Sequence, residues 1–199
     1  APFEQLFVED LARRDLSPYR LIIMATPFYL SEREREIVLE ATQRQRRRIT
    51  VLWTYAPALI RDTSANIINM QHLTGLRFNA DYISGELDVE IIRDDHPITQ
   101  GLPVGMRYGT GVDREQYLQP PKAQYLPDTT MSVAFYAEEG SGLTLGRECN
   151  TGQPGLVVRE MGGMNSIYTA APALSWRLLR NIARYAGVHL YTEGGHMVW

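Results

Sequence analysis

Two continuous apolar runs, joined by one capped helical segment, constrain this chain more than any other feature of its sequence. The runs cover residues 21–25 and 49–55. Their apolarity is continuous rather than alternating, which is typical of strands buried on both faces of a parallel sheet. Between them, Ser31 and Glu34 match a capping box that starts a helix, which we expect to run to about Arg47. This spacing predicts a right-handed strand–helix–strand unit, with the two strands adjacent at the centre of the sheet and flanked by the helix from Ser31.

The rest of the chain continues the alternation of helices and strands and then adds β-hairpins. Periodicity and turn residues predict, in chain order, a helix over 64–74 ended by Gly75, a strand over 88–92, a hairpin of 132–137 with 143–147, a second hairpin of 156–160 with 166–169, a helix over 176–186 capped by Gly187, and strands over 188–191 and 197–199. We therefore predict one α/β domain over residues 1–199.

Composition and charge exclude several classes of protein. With 199 residues and 44% hydrophobic side chains, the chain can bury a sizeable core. The 20 basic and 23 acidic residues give a net charge of −3, which argues against a nucleic-acid partner. No apolar run has the roughly 18 residues of a membrane span. A single cysteine, Cys149, forms no internal disulfide, and we expect a cytoplasmic protein.

The sequence offers no nucleophile at the position where an amidotransferase or α/β-hydrolase carries one. Such enzymes place a Cys or Ser on a strained turn between a strand and a helix. The predicted strand 49–55 is instead followed by Ala56, Pro57 and Ala58. Cys149 lies at the end of a predicted hairpin, where a small, half-buried structural cysteine is expected. We therefore predict no catalytic residue in this chain.

Metal, acid-pair and cofactor motifs are also missing from the sequence. The histidines are scattered, and we interpret them as exposed, turn-forming or packed side chains: His72, His96, His189 and His196. Asp94, Asp95 and His96 are consecutive, so they point in different directions and form a poor metal site. Glu138 and Glu139 are adjacent and do not face each other across a substrate as glycosidase acids must. We predict no metal and no cofactor.

One cluster stands out as a candidate site. Thr26, Phe28 and Tyr29 follow the first predicted strand, and Thr54 and Tyr55 end the second. Because the carboxyl ends of parallel strands meet at one edge of a sheet, these side chains should lie together where ligands usually bind. Three interpretations stay open: stacking on a sugar, contact with a partner, and plain packing beneath a neighbouring domain.

Several segments carry a resemblance to a known family. They are residues 16–24 followed by 30–31, and residues 48–53, 73–76, 155–160 and 186–191. These segments resemble the glutamine-amidotransferase-like domain of bacterial glycoside hydrolases, and most closely the trimerisation domain of family 42 β-galactosidases. Residues 96–103, which read HPITQGLP, are similar to a phrase in relatives of the trehalose-utilisation type. The resemblance extends over most of the chain, and none of its motifs is catalytic.

The resemblance implies a flavodoxin-like, mostly parallel sheet that has lost amidotransferase chemistry. In that family the domain holds subunits together and walls the mouth of a neighbouring (β/α)₈ barrel, which carries the catalytic glutamates. No catalytic residue therefore transfers to this sequence, and the implied partners are such a barrel and further copies of the chain, with a trimer favoured. The family's first strand and helix would precede Phe3, and its chain would continue past Trp199, so we expect a sequence clipped at both ends.

These observations favour a non-catalytic accessory or oligomerisation domain of a carbohydrate-active, β-galactosidase-like protein. Two alternatives remain open at this stage. A divergent amidotransferase-like hydrolase would need a nucleophile on an elbow, and the sequence shows none. A domain that binds a small ligand or sugar would use the aromatic side chains at the carboxyl edge.

Overall fold

The computed structural model describes residues 3–43, 48–110 and 131–191, and strands account for much of that part of the chain. Its strands are β1 (Leu21–Met24), β2 (Ile49–Thr54), β3 (Ile60–Arg61), β4 (Ser64–Ala65), β5 (Phe78–Ser84), β6 (Asp88–Ile91), β7 (Arg107–Gly109), β8 (Met131–Ala137), β9 (Leu143–Glu148), β10 (Pro154–Glu160) and β11 (Met164–Thr169). Its helices are a 3-10 helix (Val8–Ala12), α1 (Glu32–Gln43), α2 (Ile67–Thr74) and α3 (Trp176–Tyr185).

Seven of the described strands form one mixed sheet in the order β1-β2-β11-β10-β9-β6-β7. Strands β1, β2 and β11 are parallel neighbours, and the other neighbouring pairs are antiparallel. Only β10 and β6 are reversed, so the remaining five of the seven strands share one direction. The predicted α/β class, with flanking helices and hairpins added in the C-terminal half, is confirmed.

The two apolar runs pair as predicted, but only one of them is central. Strands β1 and β2 are parallel, with Ile23 opposite Leu52, and α1 connects them. Strand β2 has β1 on one side and β11 on the other, whereas β1 is the edge strand among the described residues. All six residues of β2 are buried, so this strand needs a neighbour on each side, and the C-terminal hairpin provides the second one.

The capping box of α1 forms as the sequence predicts. The Glu34 carboxylate accepts hydrogen bonds from the Ser31 amide at 2.7 Å and the Ser31 hydroxyl at 2.6 Å. In return the Glu34 amide donates to Ser31 Oγ at 3.3 Å. These contacts satisfy free groups at the helix start and orient α1 so that Ile37, Val38 and Ala41 are buried. Part of the predicted end of this helix, residues 44–47, lies outside the described residues.

Helix α2 starts later than predicted and ends where predicted. Residues 64–65 belong to the short hairpin of β3 and β4, and the side chain of Asn66 accepts a hydrogen bond from the Ile68 amide at 2.9 Å. Asparagine competes well as an N-cap because its side-chain oxygen satisfies a free amide of the first turn. Gly75 ends the helix with a left-handed φ of 72°, as its position predicts.

The C-terminal helix is confirmed, but the strand predicted directly after it is not present. Ser175 caps α3 by accepting from the Leu178 amide at 3.3 Å, and Gly187 follows its end with a φ of 78°. The Val188 amide then donates to the Ala183 carbonyl at 2.9 Å. This bond commits the Val188 amide to the end of the helix, and residues 188–191 pair with none of the described strands. The strand predicted over 197–199 lies outside the described residues.

One of the two predicted hairpins is correct. Strands β10 and β11 form the second hairpin, whereas β8 and β9 belong to different sheets. Strand β8 pairs along its whole length with β5, a strand that the sequence analysis missed, and we call this two-stranded unit the β5–β8 ribbon. Strand β9 instead lies between β10 and β6. Gly146 permits that close packing, because a Cβ there would lie 2.9 Å from the Glu90 carbonyl oxygen.

A short chain of hydrogen bonds ties β2, β11 and α2 together in the core. Trp53 is fully buried, and its Nε1 donates to Ser166 Oγ at 3.1 Å. Ser166 Oγ donates in turn to the Thr74 carbonyl oxygen at 2.6 Å. The buried indole N–H and the carbonyl at the end of α2 are thereby both satisfied. None of the helices in the described part of the chain has the length and apolarity needed to cross a bilayer.

We expect Ser166→Ala to lower the free energy of unfolding by about 2–3 kcal/mol, because it leaves a buried N–H and a buried carbonyl without a partner. Urea denaturation followed by tryptophan fluorescence measures this change. Ser141→Ala is the matched control, since the Ser141 hydroxyl is buried and has no hydrogen-bond partner among the described residues. Its removal should leave stability unchanged or slightly higher, and an equal loss in both variants would contradict the prediction.

Candidate functional site

The five residues of the predicted carboxyl edge lie together in the structure. The Thr26 amide donates to Thr54 Oγ1 at 2.8 Å, which fastens the end of β1 to the end of β2. The rings of Phe28 and Tyr55 meet edge to face, with their centroids 5.6 Å apart. Tyr29 forms a parallel β-bridge with Ile60. The two threonines therefore join strand ends, and the aromatic residues form the surface of this edge.

Only part of this edge is open to solvent. Phe28 and Tyr29 are 41% and 52% exposed, and Ile60 beside them is 37% exposed. Thr54 is buried, and Thr26 and Tyr55 are half-buried. The exposed surface is thus a small apolar patch, which we call the Phe28–Tyr29 patch and which comprises Phe28, Tyr29 and Ile60. A role for the five residues in binding a ligand or a partner stays a prediction.

The backbone at the carboxyl edge is strained at several positions. Thr26, Tyr55 and Ala58 have positive φ angles of 47°, 59° and 53°. A side chain in the left-handed region costs on the order of 1 kcal/mol or more and persists only where the surrounding structure imposes it. Tyr55 directly follows β2, as the nucleophile of an elbow follows its strand, but here the chain continues into the β3–β4 hairpin before it reaches a helix. We call this strained turn at Tyr55 the elbow. The sequence contains no sign of this strain, because none of the three residues is glycine or asparagine.

The side chain of Tyr55, on this elbow, is hydrogen-bonded to the β5–β8 ribbon and packs against it. The Tyr55 hydroxyl donates to the Val133 carbonyl oxygen at 2.9 Å, and its ring packs edge to face on Phe135 at 5.3 Å. Burial raises the pKa of Tyr55, so its phenol stays protonated and acts as a hydrogen-bond donor at neutral pH. The elbow geometry therefore presents a packed phenol where a hydrolase presents its nucleophile.

The β5–β8 ribbon covers the carboxyl ends of β2 and β11. The Tyr55 hydroxyl supplies one link to the ribbon, and the Tyr168 hydroxyl supplies another. The Tyr168 hydroxyl lies 2.7 Å from the Tyr55 carbonyl oxygen and 2.9 Å from the Phe135 carbonyl oxygen, and it shares its one hydrogen between them. The Tyr168 ring also packs on Phe78, with centroids 4.7 Å apart. Burial raises the pKa of Tyr168 well above its usual value, which keeps this donor protonated. Protein atoms thus occupy the space where open α/β sheets bind ligands.

The histidines that the structure describes are turn or surface residues. His72 is exposed near the end of α2. His96 Nδ1 accepts from the Ile98 amide at 3.2 Å, as its predicted turn role requires, and burial lowers the pKa of His96. His189 is exposed and packs edge to face on Tyr191 rather than lying in a strand. His196 lies outside the described residues.

The acidic pairs are engaged by arginines. Asp95 accepts two hydrogen bonds at 2.6 Å from Arg93, and this contact lowers the pKa of Asp95. Glu138 and Glu139 turn to different partners, with Arg77 at 2.7 Å from the first and Arg147 at 2.7 Å from the second. Across the described ranges, no group of three or more His, Cys, Asp or Glu side chains is arranged to hold a metal ion.

Cys149 lies at the end of β9, away from the elbow. Its amide donates to the Asp88 carbonyl at 2.9 Å, and the residue is exposed. The predicted half-burial of this residue is therefore wrong, because Cys149 follows the end of β9 at the surface. Partial burial of the thiol group raises the pKa of Cys149 to about 11. Arg107 lowers this pKa, and the carboxylates of Asp88 and Glu148 raise it further. A thiol with so high a pKa is a poor nucleophile at neutral pH, and a structural role stays the prediction.

A second concave surface lies between the 3-10 helix and α1. This open cleft has a volume of about 260 Å³ and is lined by Leu11, Ala12, Arg14, Asp15, Leu16, Ile37, Glu40 and Ala41. Its charged groups are engaged: Arg14 pairs with Glu4, and Asp15 accepts from the Ser17 amide and hydroxyl. The cleft lacks convergent free polar groups and is a weaker candidate than the carboxyl edge.

Comparison with solved structures finds a similar fold in two β-galactosidases and in a ThuA-like protein. The chain is similar to a β-galactosidase from Rahnella sp. R3 (TM-score 0.58, 15% identity, 89% of this chain and 24% of that chain) and to one from Bacillus circulans sp. alkalophilus (TM-score 0.56, 15% identity, 89% and 24%). It is also similar to a ThuA-like protein from Bacteroides uniformis (TM-score 0.51, 14% identity, 92% and 75%). The chain spans about a quarter of the length of the two β-galactosidases.

These likenesses concern the fold, because the identities are low. No protein-family model matches the sequence, and no curated protein matches it. The resemblance expected from the sequence segments is confirmed at the level of structure, since β-galactosidases and a ThuA-like protein both align over most of the chain.

We expect Tyr168→Phe to lower the free energy of unfolding by about 1–3 kcal/mol, because the carbonyls of Tyr55 and Phe135 lose the donor that they share. Hydrogen exchange should show the loss of protection concentrated in β5 and β8. Tyr29→Phe is the matched control: its hydroxyl is on an exposed side chain, and stability should change by less than about 0.5 kcal/mol. Loss of protection spread evenly over the main sheet would contradict the proposed role of Tyr168.

Alkylation of Cys149 should still be accelerating at pH 10. With a pKa of about 11 the thiol is mostly protonated up to pH 10. The fraction of reactive thiolate therefore increases about tenfold for each pH unit over this range. The rate of iodoacetamide labelling, followed by intact mass between pH 7 and 10, measures this dependence. In urea, the labelling rate of the unfolded chain should level off near pH 9, because its cysteine has the pKa of a free thiol. The same early plateau in the folded protein would refute the raised pKa.

Proposed function

We propose that this chain is a non-catalytic accessory domain of a carbohydrate-active, β-galactosidase-like protein and that it acts through contacts with other protein surfaces. The observation that carries the proposal is Tyr55, which occupies a strained elbow after β2 and uses its hydroxyl to hold the ribbon at Val133. A strand end committed to packing in this way has no group to attack a substrate. The structural likeness to part of two β-galactosidase chains supports the accessory role.

The Phe28–Tyr29 patch is the surface best suited to such contacts. It combines two exposed aromatic rings with Ile60, and aromatic side chains are enriched in the buried centres of protein interfaces. The Phe28 ring packs on Tyr55, and a backbone bridge to Ile60 fixes the main chain at Tyr29. An ordered apolar anchor loses little conformational entropy on binding, which favours association.

The outer edge of β1 adds backbone groups to this surface. The Thr50 amide donates to the Arg20 carbonyl, so in the parallel register Leu21 and Ile23 direct their own backbone groups away from β2. Within the described ranges no strand pairs with that side, and Ile23 is 46% exposed. An edge of this kind is a template for a strand or loop of another chain or domain.

The partners that this proposal names are further copies of the chain and a barrel domain of the same protein. A closed homo-oligomer suits a rigid patch beside an open strand edge, and the resemblance to the family 42 domain favours a trimer. In that arrangement the domain would bring catalytic barrels together and contribute a wall near their openings. The lone cysteine fits a reducing compartment, and we propose a cytoplasmic location.

Light scattering across a dilution series tests the association. We expect the wild-type chain to self-associate at micromolar concentration, and the double variant Phe28→Ser/Tyr29→Ser to weaken association by about tenfold or more, because it removes two apolar anchors. Tyr82→Ser is the matched control, since Tyr82 is 79% exposed on the β5–β8 ribbon, outside the patch. A strictly monomeric wild type would overturn the oligomerisation role.

A parallel assay tests the absence of catalysis. The isolated chain should not hydrolyse a nitrophenyl galactoside, a nitrophenyl ester or glutamine. Turnover that survives purification and is lost on Tyr55→Phe or on Cys149→Ala, with the fold preserved, would favour a divergent hydrolase over an accessory domain.

A further inference from the structure

Arg35 is an arginine in the first turn of α1 that is almost completely buried. Its exposed fraction is 3%, and among the described residues its Nη1 has no hydrogen-bond partner. Buried guanidinium groups normally donate to carbonyls or carboxylates, because an enclosed charge without a partner is strongly destabilising. The position therefore lacks an acceptor that its chemistry requires.

The acidic side chains nearest to Arg35 are engaged elsewhere. Glu32 and Asp62 both act on Arg35 electrostatically, but neither forms a hydrogen bond with it. Glu32 instead pairs with Arg61 at 3.3 Å, and Asp62 lies 4.0 Å from Arg61. Glu34, one residue before Arg35, is committed to the capping box with Ser31.

A second guanidinium lies close to the first. Arg61, at the end of β3, pairs with Glu32 at 3.3 Å, and Glu32 precedes Arg35 by three residues on α1, so the second guanidinium lies at the same end of the helix. Burial is the main cause that lowers the pKa of Arg35; Glu32 opposes this lowering and Arg61 adds to it. Arginine stays charged in spite of such a shift, and among the described residues its buried Nη1 still has no acceptor. Glu32 and Asp62 offset this charge overall, which means that an anion would be held by directed hydrogen bonds rather than by a strong positive field.

We propose that Arg35 and Arg61 form a binding site for an oxyanion of the carboxylate or phosphate type, beside the carboxyl edge. The planar fork of a guanidinium matches two oxygens of such a group, which would give Nη1 of Arg35 its missing acceptor. The anion arrives either as a small free ion or as an acidic side chain from a second copy of the chain. The proposal rests on the buried Nη1 of Arg35 and on the neighbouring Arg61, and it does not depend on the proposed function.

The hairpin that carries Arg61 lies beside the start of α1, where the Leu30 amide donates to the Ile60 carbonyl at 3.2 Å. Arg61 and Asp62 belong to the hairpin of β3 and β4, which consists of two residue pairs. Residues 62–65 of this hairpin are exposed, and Asp62 has a strained φ of 50°. So short a hairpin is marginally stable by itself, and a small displacement would admit an anion to the guanidinium.

Thermal unfolding of the full 199-residue chain in sodium malonate, in sodium phosphate and in sodium chloride at equal ionic strength tests the free-ion source. At about ten times its dissociation constant, malonate or phosphate should raise the melting temperature by at least about 3 °C above chloride. Arg35→Met should abolish this rise. Arg33→Met is the matched control, since Arg33 is exposed on the same helix, and it should respond as the wild type does.

Light scattering of the same variants tests the second-copy source. If an acidic side chain of another copy is the anion, Arg35→Met lowers the associated mass, Arg33→Met does not, and malonate has no stabilising effect. The proposal is overturned if Arg35→Met changes neither the stabilisation by malonate or phosphate nor the associated mass. It is also overturned if the stabilisation by these anions persists in full in Arg35→Met. Should Arg35→Met not fold, Arg35→Lys keeps the charge without the fork and should weaken the effect about fivefold or more.

The two proposals fail separately in these experiments. The Phe28→Ser/Tyr29→Ser variant keeps both arginines and should retain the full response to malonate or phosphate. If that variant is no longer stabilised by malonate or phosphate, the anion binds at the Phe28–Tyr29 patch, and the assignment to Arg35 and Arg61 is wrong.

Discussion

The complete burial of β2 is the constraint on which the rest of this structure depends. Every residue from Ile49 to Thr54 is enclosed, including the whole side chain of Trp53. A strand of this kind needs a hydrogen-bonded neighbour on each side and packed layers on both faces, since its backbone and side chains have no access to water. Strand β1, which α1 connects to β2, is the neighbour on one side. Strand β11 of the distant β10–β11 hairpin is the neighbour on the other side, and its Ser166 hydroxyl accepts a hydrogen bond from the Trp53 indole.

Two tyrosine hydroxyls then decide what the carboxyl edge of this sheet can do. Tyr55 and Tyr168 hold the β5–β8 ribbon across the ends of β2 and β11, so packed protein fills the usual ligand crevice. The elbow keeps its strained backbone because these contacts and the aromatic stack enforce it. Among the described residues, Phe28 and Tyr29 remain exposed beside the ribbon, and we propose that they contact another protein surface.

Sequence reasoning succeeded where the signal was local. The capping box of Ser31 and Glu34, the left-handed glycines after α2 and α3, and the tight β10–β11 hairpin each depend on a few consecutive residues, and all were predicted. The cluster at the carboxyl edge was also predicted, since it follows from two parallel strands ending together. Strand β5 was missed because it buries only Phe78 and Ile83, so its pattern lacks the alternation of a half-buried strand.

By itself, then, the sequence determined the capping box of α1, the glycines that end α2 and α3, the buried parallel pair and the lack of a Cys or Ser after β2. Tertiary structure alone decided that β8 pairs with β5 rather than with β9. It also decided that β1 is the edge strand among the described strands, and that Nη1 of Arg35 is buried with no hydrogen-bond partner in the described part of the chain. Caps and periodicity act over one or two turns of chain, where backbone geometry leaves few options. The choice of strand partner and the burial of a charged side chain depend on contacts between segments that are far apart in sequence. Local composition therefore does not predict them.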